Sequence, residues 1–499
     1  MAQPQRTLNE IRQQRREKLD ELRARGFDPY PYHFKVTHRS GDLLSLDDDK
    51  FPEDVSIAGR VVSLRRMGKA SFAHLQDAEG RQQIYLKRDH VGEEAYVELF
   101  GRVDLGDFLG VRGRVFRTRT GEITVEARSV TLLAKSLRPL PNLKEKDGDV
   151  FDPFEDKENR YRRRYLDLIA NPGVKDVFIQ RAAIIKSLRE GLDRQGYVEV
   201  ETPALQPLYG GASARPFTTH HNSLDQTLYL RIADELYLKR LIIGGFEKVY
   251  ELAKDFRNEG MDRSHNPEFT MLEFYEAYAD YNRMLELTES LIRGVASDIG
   301  VETVTFQGHD IDLREPFARD TYWNLLNRHA GTDVSQVTDT GQLYALAQAQ
   351  GRSLPPDLNF GQLLDKLFSL IVEPHLVQPV FVMDHPKALS PLAKTHRGGD
   401  VALVERFELF IAGMEFANAF SELNDPLDQR ERLEAQAGLR SAGDEEAQGL
   451  DEDFLEAMEF GMPPTGGVGI GVDRLVMLLT GQDSIKDVIL FPAMRPKAP

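Results

Sequence analysis

The most informative pattern in this chain is Phe256-Arg-Asn-Glu-Gly-Met-Asp-Arg-Ser-His-Asn-Pro-Glu-Phe-Thr-Met-Leu-Glu273. In an extended strand, alternation puts Arg257 and Glu259 on one face. A turn with Gly and Asp follows, and a second extended stretch carries His265, Phe269 and Glu273. We therefore predict a hairpin that gathers cationic, acidic, imidazole and aromatic groups into one pocket. Salt bridges on the rim of a sheet are an equally good interpretation of these residues alone.

A second segment, Gly413-Met-Glu-Phe-Ala-Asn-Ala-Phe-Ser-Glu-Leu-Asn424, places acids among apolar residues. A regular strand would direct Asn418, Phe420 and Glu422 to one face and leave Glu415 out of that row. Carboxylates that are buried without partners are costly, so this pattern favours a cation, either a metal ion or an ammonium group. An exposed edge strand is the structural alternative.

A third segment, Gly466-Gly-Val-Gly-Ile-Gly-Val-Asp-Arg-Leu475, has glycine at every second position. Such spacing lets a ligand or another strand approach the backbone closely, although a glycine-rich hairpin packed for structural reasons fits equally well. The chain has no G-x-x-x-x-G-K-[ST] loop and no strand followed by G-x-G-x-x-G. A bound nucleotide would therefore need a cradle of side chains rather than a glycine-rich helix N-terminus.

Short alternating runs fill the region from Val55 to Ala134, and we predict five strands there. They are Ile57–Leu64, Ala70–Leu75, Gln82–Leu86, Phe108–Phe116 and Ile123–Ala127. Five short strands in about 80 residues fit a closed barrel of the OB type better than another small β domain, and such barrels bind single-stranded nucleic acid. Before this region, Leu8–Arg25 has helical spacing, and after it Asp176–Gln195 and Phe274–Ile299 read as amphipathic helices.

The composition excludes several classes of protein. The 499 residues include no cysteine, which excludes disulfides, a cysteine nucleophile and zinc held by thiolates. No run of 18 apolar residues occurs, and the first 25 residues lack the apolar core of a signal peptide, so we expect a cytoplasmic protein without a membrane segment. Residues 1–150 carry 27 basic against 24 acidic side chains, whereas residues 151–499 carry 36 against 56. The asymmetry suggests two parts with different partners, although acidity also serves solubility.

Together the quoted segments resemble the three motifs of the class II aminoacyl-tRNA synthetases. Gly196–Pro203 resembles motif 1, Arg257–Glu273 motif 2 and Gly466–Arg474 motif 3. Between them, Gly210–Asn222, Glu235–Arg240 and Phe420–Asp425 are similar to segments of the lysyl-tRNA synthetase family of bacterial type. Any one motif is weak evidence, but all of them occur in order at the expected spacings along essentially the whole chain.

The resemblance implies an α+β multidomain fold. It consists of a helical extension (1–54), an OB-fold anticodon-binding domain (55–135), a linker (136–170) and a catalytic domain (171–499). The catalytic domain would hold an antiparallel sheet flanked by helices, with motif 1 at about 180–203, motif 2 at about 256–273 and motif 3 at about 466–479. The family's activity would be ATP- and Mg²⁺-dependent activation of L-lysine to lysyl-adenylate, without zinc, and transfer to the 3′ end of tRNA(Lys) by a homodimer.

The resemblance also implies roles for individual residues. The catalytic residues would be Arg257 and Arg474, and both would bind ATP together with Glu259, His265, Phe269 and Glu415. Lysine would contact Gly211, Glu235, Glu273, Tyr275, Asn418, Phe420 and Glu422, while Glu415 and Glu422 would hold Mg²⁺. Phe72, Gln83 and Arg65 would contact the anticodon. Asp234 stands where the family usually has proline, and we interpret it as a cap of the following helix.

The chemistry of lysine agrees with this assignment. A substrate with two ammonium groups needs carboxylates, whereas aspartate or asparagine would need cationic or amide groups in the same pocket. Three alternatives stay open at this point: an aspartyl- or asparaginyl-type synthetase, lysyl transfer to a protein acceptor, and an RNA-binding protein whose catalytic domain is inactive.

Overall fold

The computed structural model describes residues 7–141, 144–146, 149–151, 154–356, 358–441 and 449–496. The chain divides into two compact units. The first comprises the described residues up to Arg160 together with Tyr165–Ala170, and the second comprises Tyr161–Arg164 and the described residues from Asn171 onward. Parts of the predicted linker 136–170 lie outside the described residues. In the described part of the chain, no helix is long and apolar enough to cross a membrane.

A closed five-stranded barrel dominates the first unit, with neighbouring strands in the order β1-β2-β3-β5-β4. Its elements in chain order are α1 (Leu8–Ala24), α2 (Ser40–Leu44), β1 (Val55–Met67), β2 (Ala70–Gln76), β3 (Arg81–Lys87), α3 (Arg88–Val91), β4 (Phe108–Arg117), β5 (Ile123–Ala134), β6 (Lys144–Lys146) and β7 (Asp149–Phe151). The predicted barrel is confirmed, because each of the five predicted strands lies inside one of β1–β5.

Regular alternation gives the barrel its apolar interior. Every second residue of β2 and β3 is buried, so Leu75, Ile84 and Leu86 fill the interior while their neighbours face outward. The helix α1 begins at a capping box in which Thr7 and Glu10 satisfy each other's backbone donors.

The second unit is built on an eight-stranded sheet in the order β16-β17-β18-β19-β20-β13-β12-β8, antiparallel between β17 and β12 and parallel at both outer pairs. The next helices in chain order are α4 (Lys157–Arg162), α5 (Arg164–Ala170) and α6 (Pro172–Arg194). Both α4 and α5 contain residues that are assigned to each of the two units. The remaining elements are β8 (Val198–Glu199), β9 (Leu205–Gln206), β10 (Thr218–His221), β11 (Gln226–Leu230), α7 (Glu235–Ile243), β12 (Lys248–Phe256), β13 (Glu268–Ala277), α8 (Tyr281–Asp298), β14 (Thr303–Phe306), β15 (His309–Asp312), β16 (Ala318–Thr321), α9 (Tyr322–Ala330), α10 (Thr340–Ala349), α11 (Phe360–Ile371), β17 (Val380–Met383), β18 (Arg406–Ile411), β19 (Met414–Ser421), α12 (Pro426–Ser441), α13 (Glu452–Glu459), β20 (Thr465–Gly471), α14 (Val472–Thr480) and α15 (Ile485–Val488).

The two faces of this sheet differ at the centre of β13. Leu272 and Phe274 of β13 point into an apolar core that includes residues of α8 and α14. Glu273 and Tyr275, one residue out of phase, point to the opposite face. The sheet thus separates a packed core from a polar cleft.

The predicted helix Phe274–Ile299 is wrong over its first seven residues. Residues up to Ala277 continue β13, Tyr278 turns with φ +62°, and α8 begins only after Asp280 accepts hydrogen bonds from the backbone N–H groups of Asn282 and Arg283. Apolar and polar residues in this overlap fit both periods, and pairing of β13 with two neighbouring strands favours the strand.

Candidate active site

Glycines of β20 form the floor of the cleft. Across the sheet Tyr275 pairs with Gly467, and Glu273 pairs with Gly469. A Cβ atom on Gly467 would overlap Oε1 of Glu422 and Cε1 of Tyr275, so only glycine fits beneath these two side chains. The glycine-rich segment therefore makes room for the side chains of an acidic pocket.

The pocket itself holds Glu235, Glu273 and Glu422, all at least 95% buried. Tyr275 donates a hydrogen bond from its hydroxyl to Oε2 of Glu273 at 3.1 Å. Lys239 Nζ lies 2.5 Å from Oε1 of Glu235 and 2.5 Å from Oε2 of Glu422. Burial raises the pKa of Glu422 to about 8, and burial together with neighbouring acids raises the pKa of Glu273 well above its ordinary value.

Gly211 closes the pocket beside α7. Its φ of +88° suits glycine, and a Cβ atom there would lie 3.1 Å from the Cβ atoms of Ala233 and Glu235. The structure therefore brings together five of the seven predicted lysine-binding residues in one acidic cluster: Gly211, Glu235, Glu273, Tyr275 and Glu422.

A second acidic group lies at the base of this pocket. Asp234, Asp255 and Glu273 have carboxylate oxygens within 4.8 Å of one another. The guanidinium of Arg231 lies 3.1 Å from Asp234, 3.4 Å from Asp255 and 2.8 Å from Glu251. Burial and nearby carboxylates raise the pKa of Asp234 well above its usual range, and burial raises the pKa of Asp255 to about 6.

Our interpretation of Asp234 as a helix cap is wrong. Asp234 is the N-cap residue of α7, but its side chain makes no capping hydrogen bond and faces Arg231 instead. The guanidinium of Arg231, which is buried beside it, attracts this acidic group.

The other end of the cleft collects the predicted nucleotide residues. The guanidinium of Arg257 stacks over the ring of Phe269 at 5.1 Å, and its Nε donates to the carbonyl of Ile232 at 3.4 Å. Nε2 of His265 lies 3.1 Å from a guanidinium nitrogen of Arg474.

Two further contacts fix this end of the cleft. Nδ1 of His265 lies 2.8 Å from the carboxylate of Asp262, and Arg474 donates to the carbonyl of Glu415 at 2.6 Å. The hairpin β12–β13 and the start of α14 thus present two guanidinium groups, an imidazole and an aromatic face. Glu259 lies exposed in the hairpin loop.

A β-bulge brings Glu415 into this cleft. The register between β18 and β19 shifts so that Phe410 pairs with Glu415 and Leu409 with Ala417, which turns Glu415 to the face of Asn418. The expectation that Glu415 leaves that row is therefore wrong. Because sequence spacing does not show where a bulge occurs, the strand pattern alone missed this arrangement.

Glu408 is a residue that the sequence reasoning missed. It pairs with Asn418 across the strands, and its charge, after burial, is the main influence that raises the pKa of Glu415. Glu422 has a different environment, because its partner is Lys239. Glu408 of β18 lies seven residues before Glu415 of β19. Pairing of these two strands in a hairpin is therefore the signal that could have identified Glu408.

Asn418 and Phe420 lie next to one arginine. Arg406 donates from Nε to Oδ1 of Asn418 at 3.0 Å and lies 5.6 Å above the ring of Phe420. The same arginine also forms an ion pair with Glu408. The predicted pocket residues of β19 are therefore held by β18.

The barrel carries a separate aromatic surface. Phe72 lies 4.9 Å from Tyr85, and Tyr85 lies 6.2 Å from Phe116, measured between ring centroids. Gln83 donates to Glu122 and accepts a hydrogen bond from Thr124.

Arg65 pairs with Phe72 across β1 and β2 and is exposed. Sequence reasoning missed Tyr85 and Phe116. Alternation from Gln83 to Tyr85 and strand pairing were the signals for these residues.

Two family profiles match the chain. The profile described as tRNA synthetases class II (D, K and N) covers residues 156–495, and the profile described as OB-fold nucleic acid binding domain covers residues 55–133. The chain belongs to the class II aminoacyl-tRNA synthetases. Both the cleft and the barrel of this synthetase lie within the matched regions.

Three proteins named lysine–tRNA ligase are similar to this synthetase along nearly its whole length. The one from Moorella thermoacetica is 52% identical over 490 residues, which is 98% of each chain. The one from Pelotomaculum thermopropionicum is 53% identical over 493 residues, 98% of this chain and 96% of the relative. The one from Carboxydothermus hydrogenoformans is 51% identical over 491 residues, 98% of this chain and 99% of the relative.

Proposed function

We propose that this synthetase activates L-lysine with ATP to lysyl-adenylate and transfers the lysyl group to the 3′ end of tRNA(Lys). The observation that carries the proposal is the acidic pocket of Glu235, Glu273 and Glu422. The names of the similar proteins support it, since each is called a lysine–tRNA ligase.

The charge of the pocket favours lysine over aspartate or asparagine. In the cluster that Lys239 joins, two carboxylates face one ammonium group, and Glu273 adds a third carboxylate. A substrate that carries two ammonium groups supplies the missing positive charge, whereas a substrate carboxylate would be repelled in a buried environment. This argument disfavours an aspartyl- or asparaginyl-type synthetase.

The proposed chemistry uses positioning rather than a covalent intermediate on the protein. The carboxylate of lysine attacks the α-phosphorus of ATP, and pyrophosphate leaves. Arg257 stabilises the charge that develops on the α-phosphate, while Phe269 and Arg474 hold the adenine and Glu259 and His265 orient the triphosphate. The terminal ribose hydroxyl of tRNA then attacks the adenylate carbonyl, and AMP leaves.

The role of Arg257 can be measured directly. Substitution of Arg257 by Ala should lower the single-turnover rate of adenylate formation by about 10²–10³-fold, because a donor to the developing charge is lost. Rapid-quench assays with saturating ATP and lysine measure this rate. A variant that forms adenylate at a near-normal rate would contradict the role.

For Mg²⁺, we propose Glu408 and Glu415 as the protein carboxylates. Their charges interact in the cleft beside Arg474, and carboxylate oxygens are the donors that this ion prefers. When bound, Mg²⁺ supplies charge neutralisation on the phosphates of ATP. Glu422, which we first expected as the second metal carboxylate, pairs with Lys239 and is assigned here to the substrate's ammonium group.

We propose the barrel as the anticodon-binding domain. Its aromatic side chains Phe72 and Tyr85, together with Gln83 and Arg65, offer stacking faces, an amide and a cation to unpaired bases. Because the proposed substrate is a tRNA, we propose that the protein acts in the cytoplasm.

A homodimer is the proposed assembly. Apolar side chains are exposed in and next to the segment that resembles motif 1, namely Ile179 of α6, Val198 of β8 and Leu205 of β9. Sedimentation should give the mass of two 56.6 kDa chains.

The acceptor can be tested together with the amino acid. The protein is incubated with ATP, unfractionated tRNA and one radiolabelled amino acid at a time. We expect incorporation of lysine only, in a product that ribonuclease and mild base both release. Label that resists both treatments would indicate transfer to a protein acceptor, and incorporation of aspartate or asparagine would contradict the assignment of the pocket.

A further inference from the structure

Lys239 is the basic side chain at the centre of the acidic pocket. Its side chain is 0% exposed, and so is that of Glu422, while that of Glu235 is 5% exposed. The ammonium lies 2.5 Å from one oxygen of each carboxylate. Lys239 and Glu235 are one helical turn apart on α7, whereas Glu422 comes from the segment after β19, so the lysine joins two parts of the cleft.

The second oxygen of Glu422, Oε1, lies over the glycine strand β20. It lies where a Cβ atom on Gly467 would overlap it and beside the ring of Tyr275. The ion pair therefore uses one oxygen of Glu422 and leaves the other above the glycine floor.

We propose that Lys239 is a positioning residue for the amino acid: its ammonium holds Glu235 and Glu422 so that each carboxylate turns one oxygen to an ammonium group of the substrate. The inference rests on the proposed function. A cationic group of the substrate favours the ionised form of both acids. The two carboxylates and one ammonium then have a net charge of −1, which this cationic group neutralises. Without Lys239 the carboxylates would repel each other and take up a proton or move apart.

The charged and titratable groups around this cluster come from three elements. On α7 they are Glu235 and Lys239 itself, and the segment after β19 contributes Glu422. On β13 they are Tyr275, whose pKa is raised by burial and by these acids, and Glu273. Lys239 is the cation that interacts with both Glu235 and Glu422, so its removal changes the charge seen by the substrate more than it changes the ATP end of the cleft.

The test compares Lys239→Met with Lys254→Met, a control that removes an exposed lysine of β12. Lysine-dependent exchange of pyrophosphate into ATP gives KM values for lysine and for ATP. We expect Lys239→Met to raise the KM for lysine by at least about 10-fold, the loss of roughly 1.4 kcal/mol of binding, and to leave the KM for ATP within about 2-fold. Lys254→Met should leave both values unchanged.

An equal rise of both KM values, or an unchanged KM for lysine in a folded variant, would overturn the proposal. An ion pair with a purely structural role would lower the melting temperature without this split. The wild-type protein distinguishes the two levels of the argument: if it shows no lysine-dependent exchange, the proposed function fails, whereas normal exchange by the wild type and by Lys239→Met removes only the role of Lys239.

A double variant keeps the test decisive if Lys239→Met does not fold. Glu235→Gln/Lys239→Met removes one buried charge of each sign, and Glu235→Gln alone is its reference. Equilibrium dialysis with radiolabelled lysine measures binding without catalysis. We expect the double variant to bind lysine at least about 5-fold more weakly than Glu235→Gln, because Glu422 loses its partner; equal affinities would contradict the proposal.

Discussion

At the scale of single residues, Gly467 decides whether the pocket can hold its acidic side chains. A methyl group there would overlap Glu422 and Tyr275, and overpacking of this kind costs about 1–3 kcal/mol. Gly467→Ala should therefore raise the KM for lysine by roughly 10-fold or more, measured by pyrophosphate exchange. The KM for ATP should change little, because the residues proposed to hold the adenine lie at the other end of the cleft.

Gly469 provides a matched control on the same strand. A methyl group at Gly469 would lie 3.1 Å from the terminal methyl of Met271, a flexible side chain that can move aside. Gly469→Ala should keep the KM for lysine within about 2-fold of the wild type. Equal effects of the two substitutions would contradict the geometry that we assign to the floor.

Asp234 is a residue whose protonation affects stability. Burial and neighbouring carboxylates raise its pKa in the folded protein, while the unfolded chain has the ordinary value of about 3.9. The folded state therefore keeps a proton that the unfolded state loses, and this contribution to stability falls as the pH rises from about 4 through the raised pKa. Asp234→Asn removes the effect, so the melting temperature of the variant relative to the wild type should be about 2–4 °C higher at pH 8 than at pH 5.

The control for Asp234 is an exposed acid. Asp176 of α6 is exposed. Asp176→Asn should give the same difference from the wild type at both pH values in differential scanning calorimetry. A difference for Asp234→Asn that is also independent of pH would show that the carboxyl of Asp234 titrates normally.

At the scale of elements, strands β2 and β3 carry the aromatic surface of the barrel. Each stacked base is worth about 1–3 kcal/mol in such surfaces. Phe72→Ala should therefore raise the KM for tRNA in aminoacylation by roughly 5- to 150-fold. Pyrophosphate exchange without tRNA should keep its wild-type rate, because the residues named above for the acidic pocket belong to the second unit.

An aromatic residue outside the aromatic surface of the barrel provides a control for Phe72→Ala. Tyr32 is fully exposed and lies in the segment before β1, so Tyr32→Ala is a control for loss of an exposed ring. If both variants bind tRNA like the wild type, the aromatic surface does not contact the anticodon.

Elements with one clear period were predictable, and elements with a local irregularity were not. The five barrel strands and α1 follow from alternation and helical spacing. The start of α8 does not, because residues 274–277 fit both a helix and β13, and strand pairing decides between them. The bulge that turns Glu415 inward depends on pairing with β18, which is likewise a tertiary effect.

Contacts between distant segments limited the prediction of the site in the same way. Glu235, Glu273 and Glu422 could be proposed from motifs, but the role of Lys239 could not, because its two partners meet only in the folded cleft. Asp234 and Asp255 likewise come together through Arg231, which joins the end of β11 to β12.

At the scale of the whole molecule, the two parts of the chain differ in net charge, in keeping with their different proposed ligands. Residues 1–150 are slightly basic and contain the barrel, whereas residues 151–499 carry 56 acidic against 36 basic side chains. Part of that acidity is the buried pocket, which we propose selects a cationic amino acid. The same chain can thus offer a basic and aromatic surface to RNA and an acidic cavity to lysine.

The central claim is that the acidic pocket selects lysine for activation, and amino-acid-dependent exchange of pyrophosphate into ATP tests it most directly. The assay is run with Mg²⁺, without tRNA, for all twenty amino acids and ornithine. We predict exchange with lysine, weaker exchange with ornithine by about 10- to 200-fold because one methylene is worth about 1–3 kcal/mol, and none with aspartate or asparagine. Exchange driven by aspartate or asparagine, or no exchange with lysine, would contradict the account.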